Sequence, residues 1–412
     1  MNTRVRFSLA MLGCVLLLGI GLAAVDSDDR PLPEQRAEYQ KAMQNGNWKD
    51  AYEGYRKLVL NAENDPKLVP GDLNSAVQCL NQLGRTDEVD ELLEAAVTTH
   101  PQKWQLLTAV AGQYMNQQHY GYMVAGEYAR GDKRGGGKLV NSLERDRVRA
   151  LQLMLQAMPL TREEDNKGLV ADYYQQLAQY LLNNRGYYEA WRLQSKTDLA
   201  ELPDYEEGYL YYRNWNGAPV DAEGKPVFHT LPESWEAAES DGQRWRYALS
   251  MVVEHEPRRL NNVRSELAQF YYQQFGVQTM QYIGGWHWFG RGQVEDEGDE
   301  NESGTYDLDT LEENETIARL ATGIKRFELP DEFNFIRIWQ TIAAEPKTGN
   351  GEHAVNQLAQ IFENRRQYPQ AVIEWKAAIE QYGAGPNNWR SQRLNQIVGN
   401  WGRFESVSVQ PA

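Results

Sequence analysis

The residue types that catalyse reactions or hold metals occur in this chain, but their spacing fits no catalytic or metal-binding pattern. Histidine titrates nearest to neutral pH and is the commonest metal ligand. No His-Glu-x-x-His, cysteine pair or Gly-x-Ser-x-Gly motif is present. Glu254, His255 and Glu256 are consecutive, and neighbouring helix residues point in different directions, which makes a joint ligand set improbable. The six histidines are scattered through the sequence at His100, His119, His229, His255, His287 and His353. We therefore assign no catalytic, metal-binding or cofactor-binding residue.

Two further segments resemble ion-binding sequences only superficially. Gly131 to Lys138 is rich in glycine and ends in lysine, as a phosphate-binding loop does. However, Leu139 stands where a magnesium-binding hydroxyl belongs, the leading glycine spacing is wrong, and we predict no preceding strand. The acidic run from Glu295 to Glu302 lacks the Asp-x-Asp-x-Asp-Gly spacing of a calcium loop. We interpret the first segment as a flexible basic loop between helical repeats and the second as part of an acidic linker, residues 293–314.

Composition narrows the class of protein. The chain has 412 residues, of which 41% are hydrophobic, so it is long enough to bury a large core. Its formal net charge is −16, and loss of a leader with Arg4 and Arg6 would make it −18. Because so acidic a chain is repelled by phosphate backbones, nucleic-acid binding is excluded as its main role. The only cysteines are Cys14 and Cys79, so no disulfide framework is expected.

The elements that must position any functional residue are paired helices. Ala37 to Pro101 contains two helix-turn-helix units whose turn glycines, Gly46 and Gly84, lie 38 residues apart, close to the roughly 34-residue tetratricopeptide period. A third unit with the same spacing occupies Ala354 to Gly383. The competing interpretation is a helical bundle with a chance glycine spacing. In order of sequence, the matched apolar positions are Trp48, Ala51, Tyr55 and Leu58; Val89, Leu93 and Ala96; Ala359, Phe362, Tyr368, Ala371, Trp375 and Ala378. We predict a mainly α fold: a tetratricopeptide-like solenoid of helical hairpins with a small β-hairpin insertion.

The N-terminus has the features of an export signal. A short basic segment precedes the apolar run Phe7 to Val25, and the acidic segment Asp26 to Asp29 follows. We predict that residues 1–24 are a signal peptide or an uncleaved membrane anchor; a lipoprotein signal at Cys14 fits less well, because the apolar run continues past it. Each alternative places the body of the protein in the periplasm or cell envelope. Contact with the membrane is expected only through this segment, if it is not cleaved.

The remaining chain divides into helical and non-helical parts. We predict tetratricopeptide-like repeats at 33–130, helical repeats at 138–200, a β-hairpin at 203–232 and helices at 233–292. After the acidic linker, repeats resume at 315–383, including a degenerate helical unit from Ile317 to Ala344, and a helix with an extended tail follows at 384–412. The aromatic cluster Gly284 to Gly290 is expected to cap a helical stack, although Trp286 and Trp288 also suit a partner anchor or a sugar-stacking surface.

Four segments resemble a known family. Val140 to Leu153, Asn184 to Gln194, Gly217 to Asp221 and Glu315 to Pro330 together resemble the N-terminal tetratricopeptide region of large bacterial proteins of the alpha-2-macroglobulin type. The resemblance implies an extracytoplasmic protein whose downstream part traps proteases, in many members with a Cys-x-Glu-Gln thioester. No cysteine follows Cys79. We therefore expect these residues to supply a docking or scaffolding end rather than the trap.

These observations predict a non-enzymatic protein-interaction module that captures a peptide or partner helix on its concave face. Side-chain amides suit this task because each offers both hydrogen-bond donors and acceptors. The simpler alternative is that the amides are merely solvated, and a different class of function is an envelope polysaccharide-binding protein or hydrolase. The candidate binding residues are Asn74, Gln78, Asn81 and Gln82 in the early repeats, and Asn356, Gln360 and Asn364 in the late repeat.

Overall fold

The structure is a computed structural model that describes residues 30–132, 136–186, 189–209, 217–277, 307–345 and 349–401, without the side chains of the last two. The predicted leader, the aromatic cluster with Trp286 and Trp288, most of the acidic linker and the C-terminal tail lie outside these residues. Thirteen α-helices lie within them: α1 (Leu32–Gln44), α2 (Trp48–Val59), α3 (Val69–Gln82), α4 (Val89–Thr99), α5 (Trp104–Asn116), α6 (Leu143–Ala157), α7 (Lys167–Leu182), α8 (Asp241–His255), α9 (Leu260–Phe275), α10 (Phe335–Ala343), α11 (Gly351–Asn364), α12 (Tyr368–Tyr382) and α13 (Trp389–Trp401).

The helical hairpins form where the sequence predicts them. Gly46 and Gly84 adopt φ values of +79° and +67°, a conformation that favours glycine, at the turns after α1 and α3. Arg366 occupies the equivalent turn after α11 at φ 56°. The small residue of the first hairpin, Ala51, is fully buried. Helices α1 and α2 also approach each other closely at Gly54, where an added β-carbon would lie 2.2 Å from Cδ1 of Tyr39. The predicted mainly α fold with a small sheet is confirmed.

Successive helices alternate between two layers. Side chains connect each odd-numbered helix with the next odd-numbered helix along the chain, so these seven helices form one layer. The connecting pairs are Arg36–Asp72 between α1 and α3, Asn74–Gln113 between α3 and α5, Gln175–Glu266 between α7 and α9, Tyr272–Asn364 between α9 and α11, and Asn356–Arg390 between α11 and α13; between α5 and α7, Gly112 lies against Gln176 and Tyr180.

The opposite layer is linked by ion pairs. Arg149 of α6 binds Glu94 of α4 at 2.6 Å, and Arg147 of α6 binds Asp241 of α8 at 3.1 Å. One apolar core runs from Ala51 in α2 to Ala371 in α12. Within the part of the chain that the structure describes, no helix is both long and apolar enough to cross a bilayer.

The β-structure differs from the prediction. Strands β1 (Tyr120–Val124), β2 (Glu127–Arg130), β3 (Lys138–Asn141) and β4 (Glu206–Glu207) form an antiparallel sheet in the order β2-β1-β3-β4. The helical repeats that we predicted for residues 33–130 therefore end at Asn116. The glycine-rich segment that begins at Gly131 follows β2 directly and precedes β3, whose first residue is Lys138, so our expectations of no preceding strand and of a loop between helical repeats were wrong; residues 133–135 lie outside the description. The reason is local: Ala125 and Gly126 both have positive φ, at 53° and 90°, which closes a two-residue hairpin turn.

A second correction concerns the unit predicted as a helical repeat from Ile317. Residues Glu315–Leu320 and Gly323–Glu328 form an antiparallel hairpin, β5 and β6, and helix begins only at Phe335. Gly323 at φ +117° closes that hairpin. In the segment 203–232, where a hairpin was predicted, the described residues contribute β4 and an antiparallel bridge between Val220 and Pro226; residues 210–216 lie outside the description.

Candidate functional site

The described histidines do not converge on a site. His100 is buried and hydrogen-bonds the Val59 carbonyl, His255 stacks on Tyr174, and His353 packs edge-on against Trp339. Among the described residues there is no group of three or more His, Cys, Asp or Glu side chains placed to hold a metal ion. His287 lies outside the described residues. His100, His255 and His353 therefore contribute to packing rather than to a shared reactive centre.

A serine, a histidine and an aspartate do meet beside the sheet, but their hydrogen bonds do not fit nucleophilic catalysis. His119 Nδ1 lies 2.9 Å from Asp146 Oδ2, and the Ser142 hydroxyl donates to the same oxygen at 2.7 Å. Arg130 donates to both oxygens of Asp146 at 2.8 Å. Burial disfavours the charged carboxylate, but the hydrogen bonds from Arg130 and His119 outweigh it and lower the pKa of Asp146. Ser142 donates to a carboxylate whose lowered pKa makes it a weak base, and it lacks the hydrogen bond to imidazole that a Ser-His nucleophile uses. The cluster instead holds the sheet against α6 through Arg130 and Asp146.

The early candidate residues share one face of α3. Asn74, Gln78, Asn81 and Gln82 are all exposed, and Asn74 accepts a hydrogen bond from Gln113 Nε2 of α5 at 2.7 Å. The other three side-chain amides make no hydrogen bond with the described chain. The structure therefore brings these four residues together and leaves most of their donors and acceptors open to solvent.

The amide surface continues onto α5 and α7, which sequence reasoning did not select. A groove with a volume of about 480 Å³ lies between these helices. Five amide side chains dominate its lining, with Asp172 as the one carboxylate, and this carboxylate is paired with Arg259 at 2.6 Å. The amides are Asn116, Gln175, Gln176, Gln179 and Asn183. A run of glutamines on one helix face was the available signal, but nothing in the sequence placed it beside α5.

The late candidates divide into two kinds. Asn356 accepts a hydrogen bond from Arg390 Nε at 3.0 Å, and Asn364 donates to the Tyr272 hydroxyl at 2.6 Å. Gln360 is exposed and lies in a groove of about 450 Å³ between α11 and α13. Asn356 and Asn364 thus connect helices of the layer, while Gln360 keeps its amide open to solvent.

The amide surface carries little charge. Helix α5 contains no charged residue, and the only one on α3, Asp72, is buried and paired with Arg36 at 2.7 Å. In the adjoining helices, Glu266 accepts a hydrogen bond from Gln175 at 2.8 Å, and burial raises its pKa. In a chain with a net charge of −16, the part of this layer formed by α3 and α5 therefore carries almost no exposed charge. Elsewhere, ion pairs join helices in both layers, as Arg149 of α6 pairs with Glu94 of α4 and Arg393 of α13 pairs with Glu363 of α11.

We define the amide row as the exposed amide side chains of α3, α5, α7 and α11: Asn74, Gln78, Asn81, Gln82, Asn116, Gln179 and Gln360. Its arrangement permits hydrogen bonding over a long, nearly neutral surface, and no reactive group lies among its members. Comparison with protein-family models and with curated proteins finds no match to this chain.

Proposed function

We propose that this chain is an exported, non-catalytic scaffold that binds an extended polypeptide segment along the amide row. The observation that carries the proposal is that amides of separate repeats adjoin one another: Asn74 of the row accepts a hydrogen bond at 2.7 Å from Gln113 of α5, the helix that also carries Asn116 of the row. Helical-hairpin arrays commonly use one layer of helices as an extended binding surface. A surface assembled from several repeats suits a long partner better than a compact small molecule.

The chemistry of the row favours a polypeptide as the partner. Each amide offers a carbonyl acceptor and two N–H donors, which match the alternating N–H and C=O groups of an extended backbone. Binding to neutral groups also avoids the high cost of burying unpaired charges. A highly acidic partner would be repelled by the net charge of −16.

The apolar N-terminal run and the family resemblance support the rest of the proposal. The leader predicts export, and the resemblance to the tetratricopeptide region of alpha-2-macroglobulin-type proteins favours a docking role in the cell envelope. Under this proposal the segment bound on the amide row belongs to another envelope protein or to a further part of such a trap.

The test is selection of random twelve-residue peptides on the full chain, followed by titration calorimetry with a selected peptide. Replacing Asn74, Gln78, Asn81 and Gln82 by alanine should weaken binding at least tenfold. The matched control replaces four exposed residues on the opposite layer, Lys49, Asp50, Glu53 and Lys57, by alanine, which leaves the net charge unchanged and should leave binding unchanged. Equal binding by both variants, with unchanged circular dichroism, would overturn the proposal, as would failure to select any peptide.

A further inference from the structure

We infer that the amide row recognises the main chain of its partner rather than its side chains, with contacts about three partner residues apart wherever neighbouring helices carry row members. This inference rests on the proposed function and adds the class of ligand: an extended, proline-poor segment of about twelve residues without a fixed sequence. It follows from the spacing of the helices, from the open hydrogen-bonding groups of the amides, and from the lack, along the described row, of free groups that would select a particular side chain.

The spacing sets the period of contact. Packed helices lie about 8–10 Å apart, whereas an extended chain advances about 3.3 Å per residue. A peptide crossing the layer therefore meets a new helix after about three residues. The row begins on α3 and reaches α11 across four helix-to-helix steps, which corresponds to roughly 36 Å or about eleven to twelve residues. Row members lie on α3, α5, α7 and α11, so no contact is expected where the peptide crosses α9.

Most amides of the row keep hydrogen-bonding groups open, although Asn116 donates one N–H to the Gly112 carbonyl of its own helix at 2.8 Å. Asn74 uses its carbonyl to accept from Gln113, so the side chain is held in place while its N–H donors stay open. Gln117 in turn donates to Gln113 at 2.8 Å and keeps its own carbonyl. Gln78 and Gln179 are exposed and form no hydrogen bond with the rest of the described chain. An open amide can bind a peptide N–H and C=O at the same time, which only a main chain offers at every residue.

Groups that would select a particular side chain are already engaged. Asp172 in the groove between α5 and α7 is paired with Arg259, and Glu363 in the groove between α11 and α13 accepts from Arg393 at 2.8 Å. The apolar residues of the first groove, Met115 and Tyr180, are buried, so they offer no open pocket for an anchor side chain. What remains accessible in the first groove is hydrogen-bonding capacity, which does not discriminate between side chains. The groove beside Gln360 additionally exposes part of Trp389.

The experiment is a pair of scans over one peptide selected on the full chain. Backbone N-methylation, one residue at a time, removes a single N–H donor; alanine substitution at the same residues removes the side chain. We expect N-methylation to weaken binding at least tenfold at every third position, except at the one that lies over α9, and less than threefold at all other positions. Alanine should cost less than threefold throughout. The N-methylated positions between the sensitive ones are the matched control for conformational effects of methylation.

The outcomes separate the two proposals. If the four-alanine variant on α3 loses binding but the scans show dependence on two or three side chains, main-chain recognition is wrong and the scaffold function stands. Sensitivity to N-methylation without a three-residue period would also overturn the inference. If binding survives the four-alanine variant, both proposals fail.

Discussion

Replacement of Asp241 by asparagine should destabilise the chain more than any exposed charge substitution. Asp241 is fully buried at the start of α8, and its carboxylate accepts from Arg147 Nη2 and Arg244 Nη1, both at 3.1 Å, and from the Thr197 backbone N–H at 3.0 Å. Arg185 Nη1 lies 3.7 Å away. Asparagine keeps the size of the side chain and one carbonyl acceptor but removes the negative charge that these guanidinium groups share.

The expected loss follows from the burial of the partners. Removing one member of a buried ion pair typically costs about 3–5 kcal/mol, because the remaining charge stays buried without compensation. Arg147 is 1% exposed and cannot reach water. Glu144 remains within 3.2 Å of Arg147 and 2.7 Å of Arg185, so part of the compensation survives. We therefore expect a loss near the lower end, about 3 kcal/mol.

The assay is urea unfolding followed by tryptophan fluorescence and far-ultraviolet circular dichroism. Asp172→Asn is the matched control: it is the same chemical change at a carboxylate whose side chain is 59% exposed and paired with Arg259. The control should lose less than about 1 kcal/mol, as exposed pairs do. Equal losses for the two variants, with unchanged denaturant dependence, would refute the view that Asp241 is the essential counter-charge between α6 and α8.

Three further predictions concern other buried positions. Gly54→Ala should lower stability by about 1–3 kcal/mol in urea unfolding, because the added β-carbon would lie 2.2 Å from the Tyr39 ring; an unchanged midpoint would show that Tyr39 moves freely. Burial and then the Arg246 charge lower the pKa of His229 to about 4. The folded state therefore binds fewer protons than the unfolded state below pH 6.5, and stability should fall by about 3 kcal/mol between pH 6.5 and 4. His229→Gln should flatten that slope, and parallel pH profiles would contradict this assignment. Finally, Cys79 is fully buried, and burial raises the pKa of its thiol. In a Cys14→Ser variant, thiol reagents should therefore modify the chain rapidly only in urea. Rapid modification of the folded protein would contradict the packing of α3.

The helical hairpins could be predicted from sequence because their determinants are local. Each hairpin is marked by a turn glycine, such as Gly46 or Gly84, and by apolar residues at helical spacing that follow within some thirty residues. The burial of Ala51 and Trp375 agrees with this prediction. The strands β1 to β3 and the hairpin of β5 and β6 were missed because their segments also carry apolar residues at helix-compatible spacing. The two-residue turn at Ala125 and Gly126 was the signal that distinguished β1 and β2 from a helix.

The candidate surface was predictable only in part, because only some of its features depend on local sequence. The exposed amides of α3 lie on one helix face, so their spacing in the sequence was enough to predict that they share one surface with Asn74. Sequence could not show that Asn356 and Asn364 are engaged with Arg390 and Tyr272, or that α5 and α7 form an amide-lined groove. Periodicity determines which face of each helix is buried, because burial of apolar surface acts on every helix separately. Which polar faces then become neighbours depends on contacts between residues far apart in the chain, and only the packing of the two layers decides them.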